Sequence, residues 1–171
     1  VKPYKDTRIA LEKKSEEFRE SGEILYNLDK PHFNSAVGRY YYSLYIRIMH
    51  LSKILGFKRD DNQSLEKSQQ INGIHQQTID FFNMKLEQAL EPNEEKERER
   101  INKILNPEEK KELKKILRRL RTLCGIRNNA DYSENSVEDG DVKQLKTNLE
   151  KFEEKYGKII KILNIENIEV D

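Results

Sequence analysis

The stretch FNSAVGRYYYSLYIRIMHLSKIL, residues 33–55, decides the fold class. Phe33, Val37, Tyr40, Tyr41, Leu44, Ile48, Leu51 and Leu55 recur at steps of three and four, the spacing of one face of an α-helix. At about 100° per residue, Tyr42, Ile46 and Met49 fall on the opposite side. A helix apolar on two sides is either central in a bundle or part of a subunit interface. Gly56 follows as a natural C-terminal stop.

The same period continues in both directions. Tyr4, Leu11, Phe18 and Leu25 repeat every seven residues and predict a helix over 4–28, broken by Asp29, Lys30 and Pro31. Residues 57–72 read as a polar loop. A shorter helix is predicted over 73–89, carrying Ile74, Thr78, Phe81 and Phe82. Residues 91–106 form a charged insertion, either an exposed helix or a flexible arm. Asn106-Pro107-Glu108-Glu109 is a helix start, with Asn as N-cap, Pro at the first position and acids in the first turn. The helix it opens carries Leu113, Ile116, Leu117, Leu120, Leu123 and Cys124 on one stripe. After a turn within 133–140, with a start signal at Ser136, a last helix carries Val142, Leu145, Leu149, Phe152, Tyr156, Ile159, Ile160 and Leu163. Strand-like alternation and internal repeats are absent from the sequence. The expectation is an all-α protein, one domain over 1–171, with an antiparallel four-helix-bundle core, an additional short helix and the charged insertion.

Of the 171 residues 37% are charged, yet the formal net charge is +1, so any electrostatic preference for a partner must be local. The single cysteine, Cys124, forms no internal disulfide and fits a reducing compartment. No apolar run reaches the roughly 18–20 residues that span a bilayer, and no signal-peptide pattern is recognisable, so a cytoplasmic protein without a membrane segment is expected. His32, His50 and His75 show no metal-ligand spacing, and no Walker loop, Rossmann glycine pattern or nucleophile elbow is present. No metal or cofactor is expected.

The segment Arg127-Asn128-Asn129-Ala130-Asp131-Tyr132 carries the most chemistry. Helical steps from Leu113, Leu117, Leu120 and Cys124 lead to Arg127 and then Asp131, which puts a guanidinium on the apolar seam. An inward charge is costly unless paired or solvated, and Asp131, four residues on, is the nearest partner. Base before acid is the weaker i,i+4 order, and a carboxylate near a helix C-terminus opposes the dipole. A tertiary or functional reason therefore holds the pair, either a structural tie between two helices or a site. A second feature is basic: residues 110–127 hold eight Lys or Arg and one acid, Glu112. Lys111, Lys114, Lys115, Arg118 and Arg121 project away from the apolar stripe, as a ridge that tracks phosphates or as a solvated face. A third is aromatic. Tyr40 and Tyr41 point to the core, whereas Arg39 and Tyr42 lie on the other side, where tyrosine serves for base stacking or as a core or interface residue with a polar tip.

Three segments, in order, resemble the HEPN family of helical domains. Ala36-Val37-Gly38-Arg39-Tyr40-Tyr41-Tyr42-Ser43-Leu44 is similar to the second helix of one prokaryotic branch. Gly73-Ile74-His75 leading to Phe81-Phe82 is similar to its short histidine-bearing segment, and residues 127–132 to its R-x-x-A-D-Y helix end. The resemblance implies a metal-independent ribonuclease with an R-x4-6-H signature, a site formed where two protomers meet, and a toxin–antitoxin or phage-defence setting. A nucleotidyltransferase-type antitoxin is the implied protein partner. Arg127 and Asn128 match the signature; Tyr132 stands at the histidine position, and Ser133 and Glu134 follow. Cleavage of RNA through its own 2′-OH needs proton transfer, which suits histidine, whereas tyrosine with an ordinary pKa of about 10 is a poor base at pH 7. The resemblance therefore implies Arg127, Tyr132 and His75 as catalytic candidates, with Arg39, Tyr42, Asn128 and Asp131 supporting. The other expectation is a non-catalytic module that binds nucleotide, RNA or a protein partner.

Overall fold

A computed structural model describes residues 4–58, 67–132 and 137–165, and among these every regular element is an α-helix. The helices are α1 (Tyr4–Tyr26), α2 (Phe33–Ile54), α3 (Lys67–Leu90), α4 (Glu95–Ile104), α5 (Pro107–Tyr132) and α6 (Asp139–Ile162).

The two-sided pattern of α2 has a structural cause. The helix is central and packs against α1, α3, α5 and α6. Val37, Tyr40, Tyr41, Leu44, Ile48 and Leu51 are all 2% exposed or less. Each large side chain so buried contributes roughly 1.5–3 kcal/mol before entropy is subtracted. On the second side Ile46 is buried within the single chain, and Tyr42 and Met49 are half-buried. The second apolar side is therefore largely covered without a partner subunit. The predicted stripes of α5 and α6 are buried as expected, except for Leu163, which is half-buried.

Paired side chains fix the helix directions. α1 runs antiparallel to α2 through Ser15–Ser43, Phe18–Tyr42 and Tyr26–Phe33. It is also antiparallel to α6, through Arg19–Glu153, Glu23–Lys146 and Tyr26–Asp139. Glu109–Lys158 and Glu112–Lys151 make α5 antiparallel to α6. Asp80–Arg121 and the Asn83 amide donating to the Leu117 carbonyl do the same for α3 and α5.

The heptad apolar residues of α1 prove to be its flanks. Leu11, Phe18 and Leu25 are half-buried, whereas Ser15 and Gly22 are buried. Ser15 donates to the Ser43 carbonyl at 2.8 Å, and a Cβ at Gly22 would sit 3.1 Å from the Tyr40 ring. Small residues thus bring α1 close to α2. Behind them the Arg47 guanidinium, 8% exposed, donates to Ser15 Oγ at 2.8 Å and pairs with Glu153 at 3.3 Å. Burial raises the Glu153 pKa, and Arg19 and Arg47 offset this only in part.

Several boundaries differ from the sequence reading. α3 begins at Lys67, so residues 67–72 of the expected loop are helical, and residues 59–66 lie outside the described residues. Lys and Gln are good helix formers, and extending a helix anchored downstream needs no new nucleus. α1 ends at Tyr26, two residues before the predicted end. The charged insertion contains a docked helix, α4: Ile101 is 0% and Leu105 1% exposed, and Arg100 donates to the Lys161 and Ile162 carbonyls at the end of α6. α6 opens at Asp139 after Glu138, whose N–H donates to Asp141; the Ser136 start signal lies outside the described residues.

The terminators follow capping rules. Gly56 (φ 90) donates to the Lys53 carbonyl and Phe57 to that of Ser52, a Schellman arrangement with Leu55 as the cap residue. Asn164 (φ 57) and Ile165 close α6 in the same way. At the start of α5, Asn106 accepts from the Glu109 N–H at 2.9 Å and donates its own N–H to the Glu109 carboxylate, as its sequence predicts. Among the described residues no helix is long and apolar enough to cross a membrane.

Candidate functional site

The seam of α5 delivers Arg127 to the last turn but one of that helix, and the residue is 5% exposed. Its Nη2 donates to Tyr42 Oη at 2.9 Å and lies 2.8 Å from Asp131 Oδ2; Nη1 donates to Asn128 Oδ1 at 3.1 Å. Nε is buried without a hydrogen-bond partner among the described residues. The guanidinium carbon lies 5.5 Å from the Tyr42 ring centroid and 5.6 Å from that of Tyr132. Burial pulls the Arg127 pKa down, but the Tyr42, Asp131 and Tyr132 oxygens outweigh it and the net shift is upward. The predicted i,i+4 pair therefore exists, and an orphaned guanidinium on an apolar seam is avoided.

The exposed edge of the cluster is formed by Asp131, with its side chain 33% exposed, and by Tyr132, which is 68% exposed. Tyr42 is the hub. Besides Arg127 it touches Phe18 of α1 at 5.8 Å and the His75 ring edge-on at 6.0 Å. His75, supplied by α3, stacks on Tyr45 at 4.0 Å and on Tyr41 at 5.7 Å. Its Nδ1 lies 3.1 Å from Tyr41 Oη, which is also 3.6 Å from Cys124 Sγ. One hydroxyl proton serves only one of these contacts, and the shorter is to the imidazole. Burial, aided by the charge of Arg127, pushes the His75 pKa down to about 4. At neutral pH the ring is therefore uncharged, and Nε2 is the nitrogen that Tyr41 does not engage. Burial raises the Tyr41 pKa well above its ordinary value, so Tyr41 remains a phenol.

Six of the seven predicted catalytic and supporting residues thus meet: Arg127, Asn128, Asp131 and Tyr132 from α5, His75 from α3 and Tyr42 from α2. Arg39 lies one ring away, exposed, with its guanidinium 5.4 Å from the Phe18 centroid. Among the basic residues, Lys111, Lys115, Arg118 and Arg121 are exposed and Lys114 half-buried. Lys114 pairs with Glu91 and Arg121 with Asp80. The sequence pattern marks Tyr41 as a core residue and does not single out Tyr45, yet both pack against His75. Their i,i+4 spacing puts both rings on one face of α2 but does not point to His75 as their neighbour. Cys124 is buried, as expected, and His32 is exposed. Among the described residues no group of three or more His, Cys, Asp or Glu side chains is arranged to hold a metal ion.

No family model matches the chain, and comparison with curated proteins and with solved structures returns no match.

Proposed function

We propose that the chain is an HEPN-like protein, a single cytoplasmic domain on a four-helix core, that binds RNA and cleaves it without metal at the Arg127 cluster. One observation carries the reading. Residues singled out by three separate motifs, as far apart as Tyr42, His75 and Arg127, share one cluster around the Tyr42 ring. Arg127 supplies a permanent cation for a phosphodiester, and Asp131 holds it in the absence of one. The 2′-oxygen bonds to phosphorus, the bond to the 5′-oxygen breaks, and the 2′-proton leaves to a base as the 5′-oxygen gains one. The products are a 2′,3′-cyclic phosphate and a 5′-hydroxyl. His75, neutral at pH 7 though a weak base in its enclosed setting, is the acceptor in this reading, and exposed Tyr132 the donor. A toxin–antitoxin or defence role, with a nucleotidyltransferase-type partner, belongs to the same proposal.

A homodimer is part of it as well. Ile46 is covered inside one chain, and the exposed Tyr132 edge of the Arg127 cluster is what supports a joint on α5.

The test is cleavage of single-stranded RNA by purified protein in the presence of EDTA, with Arg127→Ala and His75→Ala alongside. Cleavage by the parent that falls at least about a hundredfold in both variants is expected. Activity indifferent to Arg127→Ala overturns the mechanism. Light scattering that finds a strict monomer at micromolar concentration overturns the shared site.

The burial of Arg127 favours a second reading, a non-catalytic module. Both Nη atoms are satisfied within the chain, so the guanidinium also serves as a tie between α2 and α5. On that reading Arg127→Ala lowers stability by about 2–3 kcal/mol and no RNA is cut.

A further inference from the structure

A strongly positive surface lies away from the cluster just described. A hollow on the outer side of α5 is lined by Pro107, Lys110, Lys111, Lys114, Lys115 and Arg118. Five of these six residues are cations and none is acidic. Lys110 donates to Asn102 at 2.6 Å and Lys114 is paired with Glu91, so α4 and the segment before it hold two of the cations in place. Lys111, Lys115 and Arg118 are exposed, and among the described residues no acid lies within ion-pair distance of them. The nearby Glu112 carboxylate faces the other way, toward Lys151 and Lys155. The three free cations stand at i, i+4 and i+7. They form one row, spaced about 6 Å and about 4.5 Å apart along the helix axis. This row is about 120–180° round α5 from Arg127, so it is not a continuation of that cluster.

We infer that this row is a second nucleic-acid contact: a sequence-independent cradle for the phosphodiester backbone of a single strand. Two features select that occupant over an acidic protein. Stable protein interfaces centre on a buried aromatic or aliphatic anchor, and among the described residues Pro107 is the only apolar one that lines the hollow. Lysine acts as a point charge without the bidentate geometry that reads a base, which suits a uniform backbone. The inference extends the RNA reading to another surface but does not depend on Arg127.

The experiment is fluorescence anisotropy with a twenty-nucleotide oligo-dT and an oligo-rU of the same length, from 50 to 200 mM salt. The DNA strand lacks the 2′-OH and cannot be cut by the proposed chemistry, so it reports on backbone contact alone. The triple variant Lys111→Glu, Lys115→Glu, Arg118→Glu is expected to weaken both strands about tenfold or more. It should also flatten the slope of log K against log salt by about 2, from three contacts at about 0.7 each. These side chains are exposed, so the melting temperature should stay within about two degrees. If it does not, the triple Gln variant reads the same loss at smaller size. In an Arg127→Ala background the triple change should bring the same loss of oligo-dT binding and the same flattening of the slope, since the row acts apart from that cluster. A parent protein that ignores both strands at 50 mM salt, or variants that bind both as the parent does, overturns the cradle. RNA cleavage with unaltered oligo-dT binding in the triple variant overturns the cradle alone. Retained oligo-dT binding without any RNA cleavage overturns the Arg127 mechanism alone.

Discussion

His75 shows how its setting changes the chemistry of a side chain. Three tyrosine rings surround it, and burial with the nearby Arg127 charge holds its pKa at about 4 against an ordinary 6.5. A histidine depressed in the folded state takes up its proton more readily when unfolded. Its contribution to stability is therefore complete above about pH 6.5 and is lost as the pH falls toward 4. Urea unfolding at pH 7.5 and pH 5 should show a loss in the parent that is smaller in His75→Gln, and an imidazole resonance titrating near 4. If the resonance that His75→Gln removes titrates near 6.5, the enclosed setting is contradicted. Part of this site was legible in sequence. Arg127 lay on a continued helical stripe and Asp131 one turn on, so a local period was enough to pair them. The Tyr41–His75–Tyr45 stack was not legible, because it depends on how α3 crosses α2, and no spacing within either helix encodes that crossing.

Among the elements, α1 departs most from what hydrophobic counting implies. A heptad of large apolar residues was visible, but the contact surface is the smaller set between them, Ser15 and Gly22. Counting apolar side chains misses a seam in which closeness of backbones replaces bulk. Gly22→Ala gains helix propensity of about 1 kcal/mol but presses on the Tyr40 ring, an overpacking that costs about 1–3 kcal/mol. At exposed Gly157 in α6 a Cβ meets nothing within 4 Å, so the same change gives only the gain. Thermal unfolding should therefore shift down in Gly22→Ala and up in Gly157→Ala. Equal shifts in both would mean that α1 does not approach α2 so closely. The opposite lesson comes from α3, where a polar run hid a helix start, and from α4, where Ile101 and Leu105 were outnumbered by charges.

Across the whole molecule, many ion pairs between helices sit at the rim of an apolar centre. Hydrogen bonds from lysine hold five carboxyls below their ordinary range: Glu91 by Lys114, Glu109 by Lys158, Glu112 by Lys151, Asp139 by Lys143 and, against the upward pull of its burial, Glu23 by Lys146. Such groups stabilise the fold above the ordinary carboxyl pKa and lose that contribution as the pH falls through the folded value. Glu153, whose pKa burial raises, acts in the opposite sense. The five outnumber the one, so the melting temperature should fall between pH 5 and pH 3.5. Added salt should shrink the drop, since exposed pairs are screened. A melting temperature flat over that interval at low ionic strength would remove the ion pairs from the account of stability. The all-helical class was legible from composition and period alone. The neighbours of α2 were not, because one helix buried on two sides fits both a central position and a subunit joint.

The contact of Gly22 with Tyr40 also bears on how this chain could diverge. A hydrogen atom at one position and a six-membered ring at the other fill a single space, so neither is free to change alone. In a descendant chain a bulkier residue at 22 should arrive with a slimmer one at 40, and the two positions should be inherited as a couple.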